Sequence, residues 1–395
     1  MSLASIHAAP RAQAVAPFHV MRILEQARAL EQAGRDVIHM EVGEPDFPTP
    51  EPVLEAARRA LGDRPMRYTP AAGLPELREA IAGWYDRRYG LPIDPRRIIV
   101  TPGGSGGLQL ALAALLDPGD GVLVTDPGYP CNRHIARIVG AEPVAVPVFS
   151  GDGYCPRAGL VESLWSDRVR ALMVATPANP TGSVLSPAQL TEFHALATTR
   201  GGALIVDEIY QGLVYEAEDC TALACGQDGL FVINSFSKFF GMTGWRLGWI
   251  VAPPAFVDVL ERLAQNLFLA PPTLSQYAAL AALSPDTLPI LEARRDTFRQ
   301  RRDVLLDALR GVGMTVPAKP LGAFYAYVRT PAGFPDGAAL AAELLDTAGV
   351  ALTPGVDFGS HGTQLMLRLA YTVGPGKLRE AVTRIADFLA MARDA

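Results

Sequence analysis

Lysine is nearly absent from this 395-residue chain: Lys238, Lys319 and Lys377 are the only ones among 35 basic residues. Chemistry that needs a primary side-chain amine therefore has three candidates. Cysteine is scarce as well. Cys131, Cys155, Cys220 and Cys225 form no C-x-x-C pair and have no histidine at metal-ligand spacing, which argues against a disulfide framework or a zinc motif. Scattered thiols of a cytosolic protein are the plain reading. Residues 1–17 lack a basic segment followed by an apolar core, so they do not read as a secretory signal. Long apolar runs are missing too: 108–116 stops at Asp117-Pro118-Gly119, well short of a bilayer span. Positive charge is in deficit. A formal charge of -6 disfavours nucleic acid or anionic lipid as the main partner. These absences lead to the expectation of a cytoplasmic protein that acts on small molecules.

Apolar residues make up 49% of the chain and charged residues 19%, a globular balance, and the length suggests more than one core. Short apolar runs at 97–101, 121–125, 143–148, 170–175, 203–206, 230–234 and 247–251 read as strands. Several are apolar at every position, as strands covered on both sheet faces must be. Helical segments such as 108–116 and 187–200 lie between them. This alternation predicts an α/β fold, a mostly parallel seven-stranded sheet flanked by helices.

After about residue 285 the pattern changes. A long amphipathic helix over 288–310 is followed by short strands at 314–316, 324–328 and 366–370, with helices over 338–348 and 377–392. The expected division is an N-terminal arm and part of a small domain (1–48), a large domain (49–285) and a small α+β domain (286–395). A helix near 19–33 and a strand at 37–42 are assigned to the small domain.

Three segments carry candidate chemistry. Gly103-Gly104-Ser105-Gly106-Gly107 follows the first strand of the large domain and precedes a helix, a pattern suited to a phosphate, although a plain glycine turn has the same sequence. Asp207 and Glu208 end an apolar strand, so Asp207 needs a cation or strong donor unless it serves as a helix cap. Lys238 lies among Phe236, Phe239 and Phe240, a setting that favours the free amine required for Schiff-base chemistry. Arg246, among glycines, suits bidentate phosphate binding. Lys319, Lys377 and Glu208 read as ordinary solvated charges.

Together with Asn179-Pro180-Thr181-Gly182, Tyr210 and Arg368 in order and spacing, these segments resemble the class I, aspartate aminotransferase-like family of pyridoxal-phosphate enzymes of fold type I. The likeness runs from about Val15 to the C-terminus. It implies that Lys238 holds pyridoxal 5'-phosphate as a Schiff base and moves the substrate proton, while Asp207 pairs with the ring nitrogen. Asn179 and Tyr210 would meet the ring oxygen, and Tyr129 would stack on the ring. Gly104, Ser105, Ser235 and Arg246 would bind the phosphate. Tyr68 would reach the phosphate of a neighbouring subunit, which implies a homodimer. Arg368, aided by Gly43 and Asn179, would bind the substrate carboxylate.

The activity implied is ping-pong transfer of an amino group between an amino acid and a 2-oxo acid. Ser105 stands where one branch has a lysine for a distal carboxylate. The segment 265–272 also lacks the arginine of another branch. A neutral substrate side chain is therefore expected, unless Arg22 or Arg133 supplies the charge. A C–S β-lyase on the same fold is the alternative. A non-catalytic regulatory module fits less well, because Lys238 is present.

Overall fold

The computed structural model describes residues 7–394; residues 1–6 and 395 of the expected domains lie outside them. Its strands in chain order are β1 (Ile38–His39), β2 (Ile98–Thr101), β3 (Gly121–Asp126), β4 (Glu142–Pro147), β5 (Val169–Ala175) and β6 (Ala203–Asp207). They continue as β7 (Leu230–Ser235), β8 (Gly248–Val251), β9 (Tyr325–Arg329), β10 (Val350–Ala351), β11 (Thr353–Pro354) and β12 (Met366–Ala370).

Seven of them form one sheet in the order β2-β8-β7-β6-β5-β3-β4. All its pairings are parallel except those of β8, which runs antiparallel to β2 and β7. The apolar runs explain the sheet. Every residue of β2, β6, β7 and β8 is buried, because helices cover both faces and strands there need no polar side. Two cores result. Val206, Val232, Trp249 and Phe193 belong to one, and Ile205, Ile233, Leu112 and Leu260 to the other.

A second sheet, β11-β12-β9, is antiparallel. The long helix Leu288–Leu309 buries Leu291, Phe298, Leu305 and Leu309. β1 pairs in parallel with β10, and Ala27 and Val37 pack on Leu345 and Ala351.

Three local expectations are corrected. The helix expected from residue 108 begins at Gly103, so the glycines form its first turns rather than a loop. Glycine is a poor helix former, but packing requires it here. A Cβ on Gly104 would lie 2.9 Å from Ile209, and one on Gly103 would lie 2.6 Å from the Arg246 guanidinium. The strand expected over 37–42 pairs only at Ile38 and His39, and the one at 314–316 reduces to a single bridge, Thr315 to Arg329. None of the described helices is long and apolar enough to cross a membrane.

Candidate active site

The C-terminal edge of a parallel sheet gathers strand ends, and ligands collect there. Asp207 ends β6 and Ser235 ends the neighbouring β7, with Lys238 three residues further on. Gly104, Ser105, Tyr129, Asp207, Ser235, Lys238 and Arg246 line one cavity of about 150 Å³, joined by Ile209, Ser237 and Thr243.

Asp207 is 2% exposed, and its Oδ1 accepts a hydrogen bond from the Ile209 amide at 3.1 Å. Burial pushes its pKa up to about 6. Opposite a cationic N–H, such a carboxylate regains the charge compensation that burial removes. Burial acts in the other sense on Lys238, lowering its pKa to about 8. The Lys238 Nζ donates to the Gly43 carbonyl at 2.6 Å.

The aromatic setting of Lys238 differs from the expectation. Phe236, Phe239 and Phe240 turn away to pack on Trp84 and Trp249. The rings facing the ammonium are Tyr210 and Phe324, each 5.8 Å away. Glu208 is not solvated either; it is fully buried.

The phosphate-like end of the cavity is built from short contacts. Arg246 has a φ of 51°, the left-handed region that side chains rarely occupy. Its Nη1 donates to the Thr243 carbonyl at 3.0 Å and to Ser237 Oγ at 3.3 Å. Ser235 Oγ donates to Ser237 Oγ at 2.9 Å. The Gly103–Leu115 helix starts without a side-chain cap, and Gly104 and Ser105 of its first turn, whose amides have no partner within the helix, line the same cavity. Gly248 lets the helix start pack directly on β8, since a Cβ there would lie 2.7 Å from the Gly103 carbonyl carbon.

Across from this cup, β12 carries Arg368, which is 4% exposed. Its Nη1 donates to Asn179 Oδ1 at 3.0 Å, while Nη2 donates to the Glu41 carbonyl and, at 3.3 Å, to Thr353 Oγ1. Its Nε is buried without a partner. The guanidinium lies over Tyr325 at 4.4 Å and Phe358 at 4.8 Å. Tyr325 also shares a 2.7 Å hydroxyl contact with Tyr210, and a Cβ on Gly43 would lie 1.8 Å from its Oη. Behind Arg368, the buried Glu41 carboxylate meets His39 Nδ1 at 2.7 Å. That hydrogen bond, helped by Glu31, raises the His39 pKa to about 9.

Nearby, Asp126 at the end of β3 clasps the loop after Phe358. It accepts the Ser360 amide at 2.9 Å, the Ser360 hydroxyl at 3.0 Å and the His361 amide at 3.2 Å.

Most of the expected residues therefore converge. Tyr68 stands apart, 83% exposed. Arg22 contacts His19, and Arg133 donates to the Asp357 carbonyl and lines a separate cavity of about 300 Å³ that shares Tyr129 with the first. Tyr325, Phe324, Ser237, Thr243, Glu41 and Thr353 were not anticipated. Only Ser237, next to Lys238 in the same motif, carried a local signal.

An amine, a buried acid, a cavity end lined by serine hydroxyls and Arg246, and a second, buried arginine suit an enzyme that joins a substrate amine to an aldehyde cofactor. The comparisons define the class. The family model "Aminotransferase class I and II" matches residues 35–385, and the chain belongs to that family. A valine–pyruvate aminotransferase of Mycobacterium tuberculosis is 36% identical over 95% of this chain and 97% of its own. An aspartate/prephenate aminotransferase of Thermus thermophilus is 36% identical over 97% and 98%. The crystal structure of an aminotransferase from M. tuberculosis superposes with a TM-score of 0.94 at 36% identity, covering 98% of this chain and all of that one.

The protein is thus a pyridoxal-phosphate-dependent aminotransferase of fold type I. The residues present fit the cofactor. Arg246 beside the serine hydroxyls at the uncapped helix start suits a phosphate, and the buried Asp207 carboxylate suits a protonated ring nitrogen. Among the described residues, no cluster of acidic, cysteine and histidine side chains is arranged to hold a metal.

Proposed function

We propose that the enzyme transfers an amino group from an amino acid with a neutral side chain to a 2-oxo acid, in two half-reactions at one site. The observation that carries this reading is the pairing of a partly buried amine, Lys238, with a buried carboxylate, Asp207, at neighbouring strand ends. Pyridoxal phosphate supplies an aldehyde for amines and a ring that stores the electron pair of the Cα–H bond. The protein's residues do the rest. Lys238 would hold the cofactor aldehyde, give way to the substrate amine and, as the freed amine, carry the Cα proton. Asp207 would hold a proton on the ring nitrogen, and Tyr129 would stack against the ring. Gly104, Ser105, Ser235 and Arg246 would hold the phosphate. Tyr210 and Asn179 would bond the ring oxygen, with Asn179 also braced against Arg368. The unpartnered Nε of Arg368 is a donor available to the substrate carboxylate.

A lowered lysine pKa supports this role, because only the free amine attacks an aldehyde. The association rate of the apo-protein with the aldehyde should therefore rise with pH through about 8 rather than about 10.5. Stopped-flow absorbance across pH 6–11 checks this.

The neutral preference rests on the cations that are lacking. Ser105 leaves the cup mouth uncharged, and both alternative arginines are engaged elsewhere. A distal carboxylate would be buried without a partner. The valine–pyruvate relative agrees with this preference, whereas the aspartate/prephenate relative defines the competing outcome. A kinetic panel of twenty amino acids with pyruvate and 2-oxoglutarate tests it, and aspartate outperforming every neutral donor rejects it. Pyruvate and ammonia released from cystathionine without an acceptor would point to lyase chemistry instead.

We further read the enzyme as a homodimer whose exposed Tyr68 serves the partner's phosphate site, with domain limits at residues 48 and 285. The separate sheets support that division. The four unpaired cysteines suit a cytoplasmic location.

A further inference from the structure

Beneath the phosphate cup runs a buried polar chain that the proposed chemistry does not use. It starts at Glu208, beside Asp207. Glu208 Oε1 accepts from the Ala222 amide at 2.7 Å, and Oε2 accepts from Thr221 Oγ1 at 3.0 Å and Gln211 Nε2 at 2.8 Å. Gln211 Oε1 in turn accepts from Asn234 Nδ2 at 2.9 Å. Asn234 Oδ1 accepts from the Ser235 amide at 2.7 Å. Ser235 Oγ then meets Ser237 Oγ, which Arg246 also touches.

Among the described residues, no cation forms an ion pair or hydrogen bond with Glu208. Its partners are neutral donors, and burial pushes its pKa up to about 8. A buried carboxylate without a counter-ion is costly, and a neutral isostere would avoid that cost. What the carboxylate offers instead is direction. Ionised, Glu208 accepts only. Protonated, its single proton turns to Thr221 Oγ1, because Oε1 meets the Ala222 amide and Oε2 the Gln211 amide. In either state it presents an acceptor to Gln211, whereas a main-chain N–H donates only. Between those two ends stand two side-chain amides; Gln211 Nε2 is held by two acceptors, the Cys220 carbonyl at 3.1 Å and, closer, Glu208 at 2.8 Å. With an acceptor at Glu208 and a donor at Ser235, a single orientation of Gln211 and Asn234 satisfies every bond.

We propose that Glu208 is a positioning residue: through Gln211 and Asn234 it fixes the main chain of Ser235, so that Ser235, Ser237 and Arg246 face a single phosphate. The proposal rests on the reading of that cup as the cofactor's phosphate site.

Reversing the relay tests it. Glu208→Gln and Asn234→Asp each place like groups against one another. The double variant relocates the carboxylate without changing the net charge. There the amide at 208 donates to Gln211 Oε1, Gln211 Nε2 donates to the acid at 234, and that acid still accepts from Ser235. The 3.1 Å bond from Gln211 to the Cys220 carbonyl is lost, so recovery is incomplete.

Apo-proteins are titrated with pyridoxal phosphate and with pyridoxal, which lacks the phosphate, with thermal unfolding followed in parallel. Each single variant should weaken pyridoxal phosphate about tenfold, the scale of one good hydrogen bond, and leave pyridoxal nearly unchanged. The double variant should return to within about threefold of the parent, because the pair is coupled. Equal weakening of both aldehydes, an unchanged Glu208→Gln protein, or losses that simply multiply in the double variant would each overturn the relay. If Glu208→Gln does not fold, Gln211→Met cuts the chain at its middle, and an undiminished preference for the phosphate would equally refute it. Arg246→Gln separates the two readings. If it leaves the preference for the phosphate intact, the cup itself is misassigned; if it removes the preference while the relay variants keep it, only the relay falls.

Discussion

Asp207, Ser235, Lys238 and Arg246 all come from one stretch of chain, and three of them follow directly from adjacent parallel strands whose pairing leaves little freedom. Arg368 is built differently. Two of its partners, Thr353 and Tyr325, lie on the strands that pair with β12 in a small antiparallel sheet, and the other two, Glu41 and Asn179, come from distant segments. One half of the site is set by the ends of a rigid, doubly covered sheet, whereas the other is assembled by long-range contacts around a single guanidinium. On the proposed function, chemistry falls to the first half and substrate recognition to the second.

Substitutions should separate the halves in that order. Lys238→Ala should lower turnover by roughly 10⁴-fold or more, because nucleophile and base are lost together. Pyridoxal phosphate should still bind, and equilibrium dialysis beside a steady-state assay reads both. Next, Asp207→Asn should reduce kcat by roughly 10² to 10³-fold, the scale of a lost preorganised charge, with KM for the amino acid changed far less. Arg368→Gln should reverse that pattern, raising KM roughly 30-fold or more while the absorbance of the bound cofactor stays as in the parent. An equal fall in kcat and kcat/KM for Arg368→Gln would erase the contrast between the halves.

The smallest effect concerns the support behind Arg368. Folding raises the His39 pKa from 6.5 to about 9, so the folded state binds the extra proton. Its stabilisation is complete below 6.5 and is lost as the pH rises through 9. His39→Gln should flatten the decline of thermal stability over that window, as thermal melts at several pH values would reveal.

The contrast also explains what could be read from residues alone. The seven strands were legible because each centres on a short run of mostly apolar residues. Lys238 was legible because lysine is scarce, and Asp207 because a carboxylate closing a buried strand needs a reason. The neighbours of Lys238 were not. Sequence adjacency suggested phenylalanines, but a turn after β7 sends those rings into the core and admits Phe324 from far along the chain. The helix start was misjudged because glycine propensity argued against it, whereas close packing on Ile209 and Arg246 demanded it. Glu208 was taken for a surface charge because its partners, Thr221, Ala222 and Gln211, announce themselves only in three dimensions. Tyr325 was hidden in the same way, as one more apolar position of a strand.

The clasp at Asp126 joins the two halves physically. A methyl group at Gly359 would fall 1.8 Å from Asp126 Oδ1, so the junction tolerates no side chain at all. On one side of it, Gly128 donates to the Phe358 carbonyl at 2.9 Å, one residue before the aromatic Tyr129 of the cofactor cavity. On the other, the Phe358 ring supports the guanidinium of Arg368. A side chain at position 359 would displace Asp126 and the loop that Phe358 shares with both Tyr129 and Arg368, so that, on the proposed function, this seam keeps the hold on the ring and the hold on the substrate in register.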